Sequence, residues 1–135
     1  MKNLQLPLKT KWFEMTKAGI KTEDYREITP YWCNRFLLVD GEIMSKIWWV
    51  EKFNYTGNIF TDNIKWILDN IEIGNFSFKP FTQNTMTLGY PKSTDTDRIL
   101  ILEHKGIEIR TGNPEWGAET GKLYCVIKHG KIIKP

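Results

Sequence analysis

The chain has 135 residues, 41% hydrophobic, 13% aromatic and 26% charged, with a formal net charge of +3. That length fits a single domain spanning residues 1–135, with core enough to need no disulfide or metal staple, and these fractions exclude a disordered or fibrous chain. No apolar run reaches the roughly 20 residues of a membrane span, and MKNLQLPLKTKWFEM lacks the apolar core of a signal peptide, so a cytoplasmic protein is expected.

Leu4, Leu6 and Leu8 alternate over Asn3 to Leu8 and predict a first strand, weakened by Pro7. Thr10 then starts a short helix over Lys11 to Ala18, with Trp12, Met15 and Thr16 on its inner face and Gly19 as its stop. Lys21 to Ile28 alternates as a strand that ends at Pro30. Tyr31 to Phe36 predicts a helical turn and Phe36 to Val39 a strand closing at Asp40-Gly41. Ile43 to Phe53, rich in Ile, Trp, Val and Phe, predicts a further strand with one of Trp48 and Trp49 facing inward and the other outward. Thr61 to Asn70 carries Ile64, Ile67, Leu68 and Ile71 at helical spacing, with a cap near Thr61 or Asp62 and Trp66 in the core.

Gly74 to Gln83 reads as an aromatic loop, and Thr85 to Leu88 leads into Gly89-Tyr90-Pro91 and a polar stretch, Lys92 to Asp97. Arg98 to Leu102 and Ile107 to Arg110 predict a hairpin around Lys105-Gly106. Thr111 to Gly121 is a long loop, and Leu123 to Lys128 with Lys131 to Ile133 form a last strand pair. Many short strands with frequent turns predict a mainly β (α+β) domain. The expected shape is a small barrel with a short helix after the first strand and one or two additional helices.

The net charge gives no strong electrostatic footprint, so an anionic partner must meet a few converging cations. Cys33 and Cys125 lack a nearby second cysteine and are read as reduced thiols; with His104 and His129 they form no metal-ligand spacing, so neither metal nor cofactor is expected. Both histidines adjoin turn signals and are read as exposed, without a catalytic role. Lys122 and Lys128 flank the last strand and are read as solvated, with phosphate contact as the alternative.

The sharpest local feature is Gly19-Ile20-Lys21-Thr22-Glu23-Asp24-Tyr25-Arg26 at the helix-to-strand junction. Asp24 and Arg26, two apart on a strand, share a face, and Lys21 stands in the turn before them. A desolvated lysine beside such a pair can hydrogen-bond a ligand or, with a lowered pKa, act as a base; the alternative is a surface ion pair on an edge strand. These residues resemble the signature of the ASCH domain family, G-x-K-x-x-E-x-R. Gly19, Lys21 and Arg26 match, and Asp24 stands at the carboxylate position. Lys21 to Ile28 followed by Pro30-Tyr31-Trp32 is similar to bacterial and phage-type members. Leu88-Gly89-Tyr90 resembles the family's N-G-Y turn, with Leu88 departing from it. Glu115-Trp116-Gly117-Ala118 and Gly121 to Ile127 resemble its closing loop and strand. The similarity covers residues 1–36 and 85–133, leaving 37–83 as an expansion.

The resemblance implies a PUA-like β-barrel whose cleft, between the barrel and the first helix, receives RNA or a modified nucleotide. Lys21, Thr22, Asp24, Arg26, Trp32, Tyr90 and Trp116 are the ligand-binding residues expected there. In that reading Arg26 fixes Asp24, Lys21 meets a phosphate or base carbonyl, and Asp24 accepts from an exocyclic amine. Some family members are amidohydrolases that deacetylate N4-acetylcytidine, but they carry a threonine nucleophile where this chain has Asp24. An enzyme built on this pattern would use Lys21 as base and Asp24 to orient water. A third expectation is a protein partner docking on the Trp-rich middle segment.

Overall fold

The computed structural model describes residues 3–59 and 63–134. The leucine alternation places Leu4, Leu6 and Leu8 on the buried face of β1 (Asn3–Leu8). α1 (Thr10–Lys17) follows. Its stop is a left-handed Gly19 with φ +76°. The Gly19 amide donates to the Thr16 carbonyl at 3.1 Å and the Ile20 amide to that of Met15 at 3.0 Å, the pairing that closes a helix on glycine. β2 (Glu23–Arg26) leads to α2 (Pro30–Phe36), where Pro30 occupies the first turn and the Thr29 hydroxyl accepts from the Trp32 amide at 3.3 Å. Next come β3 (Leu37–Val39), α3 (Lys46–Ile59), α4 (Asn63–Glu72) and β4 (Phe76–Phe78). β5 (Gln83–Leu88), β6 (Ile99–Thr111) and β7 (Leu123–Lys134) complete the chain.

Five strands form one mixed sheet in the order β1-β5-β6-β7-β2, with β1 parallel to β5 and the other pairs antiparallel. β3 and β4 make a separate two-stranded ribbon. The fold is therefore α+β, a curled half-barrel sheet with four helices among the described residues and one of them directly after the first strand. Its seam lies between the edge strands β1 and β2.

Four sequence expectations are corrected. Residues Ile43 to Phe53 do not form a strand: from Lys46 onward they belong to α3, started by Ser45, whose hydroxyl accepts from the Trp48 amide at 3.1 Å. Lys105-Gly106 is not a hairpin turn, and Leu123 to Ile133 is not two strands. β6 and β7 each run through, with register shifts between Ile101 and Ile107 that mark bulges or irregularities. Gly106 takes φ +108° there, and a Cβ on the facing Gly130 would come within 2.6 Å of the Lys105 side chain. Within the expected 74–83 loop lies β4. The cap expected at Thr61 or Asp62 falls outside the described residues.

Two apolar cores result. The larger lies under the sheet, with Leu4, Leu6, Phe13, Phe36, Met86, Leu100 and Ile127 among its members. The second joins Cys33, Leu37, Trp49, Ile67 and Phe76 beneath α3 and α4. Ile28, Phe78 and Ile109 pack against both, so the cores are continuous. Cys33 and Cys125 are free buried thiols, and burial pushes Cys125 up to about 12. No helix among the described residues is long and apolar enough to cross a membrane.

Candidate functional site

A cleft of about 390 Å³ opens at the seam. β1 contributes Pro7 and Leu8, α1 Trp12, and β2 Asp24, Tyr25 and Arg26; Lys21, Trp116, Gly117 and Tyr124 complete most of its wall. Because Gly19 turns the chain sharply, Lys21 enters the wall backwards from the helix, and its residue is only 3% exposed. Its Nζ donates to the Glu23 carbonyl at 2.6 Å and to Asp24 Oδ1. Burial is the largest influence on the Lys21 amine and holds its proton affinity below the ordinary lysine value, although the Asp24 charge opposes this. The rings of Trp12 and Tyr25 lie 5.9 and 5.8 Å from the ammonium.

Asp24 is also 3% exposed, and its second oxygen is held by His129 Nε2 at 2.6 Å. Burial alone would raise its carboxyl; the His129 hydrogen bond and the Lys21 charge outweigh that and hold it below the ordinary aspartate value. Behind His129 the chain of contacts continues across the sheet. Asn84 Nδ2 lies 2.7 Å from His129 Nδ1, and His104 Nδ1 lies 2.7 Å from Asn84 Oδ1. Asn84 Nδ2 also donates to the Lys128 carbonyl at 3.4 Å, which fixes the amide with its nitrogen toward His129. His129 Nδ1 therefore accepts, and its Nε2–H donates to Asp24. His104 donates from Nδ1, its pKa lowered to about 4, chiefly by burial and further by the nearby Lys128 charge. All donors in this chain point the same way, toward Asp24.

A second network steadies the other face of β2. Glu23 accepts from Arg110 and, at 2.6 Å, from the Tyr25 hydroxyl, which in turn accepts from the Asn113 amide at 2.8 Å. This ties the loop bearing Trp116 to the strand bearing Asp24. Gly117, at φ +97°, brings that loop against Trp12 so closely that a Cβ would sit 2.9 Å from the indole.

The structure brings Lys21, Asp24, Arg26 and Trp116 together in the cleft. Arg26 donates to the Pro7 carbonyl at 2.9 Å and so bridges the seam; Asp24 is held by Lys21 and His129 rather than by Arg26. With both oxygens engaged, Asp24 positions Lys21. Thr22 is exposed and lies outside the cleft lining, its carbonyl accepting from the His129 amide at 3.0 Å. Trp32 stands beside the cleft, stacked on Phe36 at 5.3 Å with the Arg26 guanidinium 5.0 Å from its ring. Tyr90 is 93% exposed and lines no part of the cleft.

Sequence reading placed His129 in solvent, whereas it is buried against Asp24; His104 is half-buried. Lys122 pairs with Glu27 at 2.5 Å and Lys128 with Glu108 at 3.6 Å. Trp12, expected only to pack inward, both packs on the core and lines the cleft. Of the middle tryptophans, Trp49 is fully buried, and Trp48 and Trp66 are partly so. No family model, no curated protein and no solved structure matches this chain.

Proposed function

We propose that the seam cleft binds a nucleoside unit of RNA, or a modified nucleotide, in an ASCH-type, PUA-like domain. The observation that carries this is the buried Lys21–Asp24 pair set between the Trp12 and Trp116 walls. Lys21 makes two hydrogen bonds to the protein, and an ammonium has three N–H groups, which leaves one for a base carbonyl or phosphate. The aromatic walls supply faces that accept a base of any sequence. The volume falls within the range of small-molecule sites, and the Gly19, Lys21 and Arg26 spacing that resembles the family stands at its polar side.

Trp116→Ala tests this without opening the core, since the residue sits in a surface loop. Loss of one stacking face is expected to weaken binding of a short oligocytidylate by about 1–3 kcal/mol, read by fluorescence titration. Unchanged affinity would remove the cleft from consideration.

A second reading, hydrolysis of an acylated nucleoside, is favoured by the depressed Lys21 amine and the polarised chain behind Asp24. Water would attack the acetyl carbonyl carbon as the neutral Lys21 amine takes its proton. The C–N4 bond then breaks, the lysine ammonium returns that proton to the departing cytidine amine, and acetate leaves, with Asp24 holding Lys21 in place. Chromatography after incubation with N4-acetylcytidine reads this directly: cytidine release that is lost in Lys21→Met supports it, and no release by the wild type rejects that substrate.

A further inference from the structure

Beyond the cleft, a group of cations lies along the open edge of β1. Arg26 donates to the Pro7 carbonyl at 2.9 Å and Arg35 to the Gln5 carbonyl at 3.3 Å. Residues two apart on a strand point their carbonyls the same way, so the two guanidiniums sit side by side, about 6.6 Å apart along the strand. Both lie over Trp32, at 5.0 and 5.7 Å from its ring. Next to Arg35 a separate cavity of about 300 Å³ holds Lys79 with Asn3 and Asn34, and no carboxylate among the described residues lines it. Lys79 donates to the Asn34 carbonyl at 2.9 Å.

Among the described residues none of these three cations makes an ion pair, whereas Lys21, Arg110, Lys122 and Lys128 do. The Nε groups of Arg26 and Arg35 are both buried without a hydrogen-bond partner. Each cation contributes one N–H to a carbonyl and keeps several more. Burial first, then the nearby Arg35, lowers the proton affinity of Lys79; burial and Arg35 act the same way on Arg26, against the pull of Asp24. The acid that reaches this group, Asp24, is already engaged by Lys21 and His129, so the three cations repel one another, an arrangement that an anion relieves.

We propose that Arg26, Arg35 and Lys79 form a phosphate track that carries the backbone of single-stranded RNA out of the cleft along the edge of β1. The inference rests on the cleft reading and extends it from one nucleoside to a strand. Trp32, held between the core and the two guanidiniums, supplies a stiff wall for the track. Phosphate contacts of this kind confer affinity and register without reading sequence.

The test compares cytidine, which carries no phosphate, with a labelled oligocytidylate across a potassium chloride series. The expected result is binding of both by the wild type, with only the oligonucleotide weakened by salt. Arg35→Gln and Lys79→Gln should each flatten the slope of log affinity against log salt by about 0.7, the value for one lost single-strand contact. Cytidine binding should stay the same, which also shows that each variant is folded. Lys65→Gln, which removes a cation from α4, should leave the slope unchanged. Cytidine binding with slopes unaltered in both track variants, or altered equally in Lys65→Gln, overturns the track and leaves the cleft reading standing. Failure of the wild type to bind either probe overturns both.

Discussion

Asn84 sits fully buried in the middle of the sheet, and the orientation of its amide sets the proton positions of two imidazoles. Buried amides and imidazoles are costly when unpaired, and here every polar atom facing the chain has a partner. The same chain makes stability depend on pH. In the unfolded state His104 takes up a proton near its ordinary 6.5, but in the fold not until about 4. Between those values the unfolded chain binds more protons, so stability falls as pH drops from 6.5 toward 4. Asp24, held below its ordinary 3.8, adds its own loss only at lower pH still. Urea titrations at stepped pH should show the upper decline in the wild type and lose it in His104→Gln, which retains an N–H for Asn84. Equal pH dependence of the two proteins would count against this account. Of the site, sequence reading recovered Lys21, Asp24 and Arg26, because a helix stop followed by an alternating strand is a local pattern. His129 escaped it: only the pairing of Glu23 with Lys128 brings that imidazole to Asp24, and the His129-Gly130 pair looks like a turn.

At the scale of elements, the helix stop at Gly19, the strand at residues 3–8 and α4 followed from periodicity and punctuation. α3 did not, because Ile, Trp, Val and Phe favour strands in isolation. The better signal was Ser45 as a cap with Trp49 and Phe53 four apart behind it, a spacing that a helix stacks on one face. Trp49 meets Trp66 and Phe76 edge-on at 6.3 and 5.3 Å, so tertiary packing decides the conformation of this segment. Glycines in β6 and β7 misled in the opposite direction, since a bulge and a hairpin turn both use them. The Trp116 loop depends on one glycine in earnest. Gly117→Ala forces a side chain into left-handed backbone and against the Trp12 indole. The backbone cost is about 1–2 kcal/mol. Thermal melts should show that loss, accompanied by weaker cytidine binding; a variant with unaltered melting and binding would refute the close approach described for this loop.

Across the whole molecule, the helical layer carrying residues 37–83 is not an appendage. Ile28, Phe78 and Ile109 touch both cores, and β4 returns the chain from the helices to the sheet. Continuous cores predict one cooperative transition. Trp49→Ala should lower stability by about 3–5 kcal/mol, the usual cost of emptying a large aromatic site. Far-ultraviolet dichroism, dominated by helices, and fluorescence, which also reports the indoles of Trp12 and Trp116 in the cleft, should shift together. Separate midpoints would show that the helical layer unfolds by itself.

The two strands that flank the seam are secured over unusual distances along the chain. Asn3 pairs with Gln83, and Glu23 with Lys128, so each edge waits for sequence made long afterwards. Such non-local closures are slow, because chain entropy is lost before any contact rewards it. On a ribosome, Leu4, Leu6 and Leu8 emerge well before the strand that covers them, and spend that interval exposed. The walls of the cleft thus come together at the end of folding. In a refolding experiment, recovery of nucleoside binding should follow the slowest phase, after most helical signal has already returned.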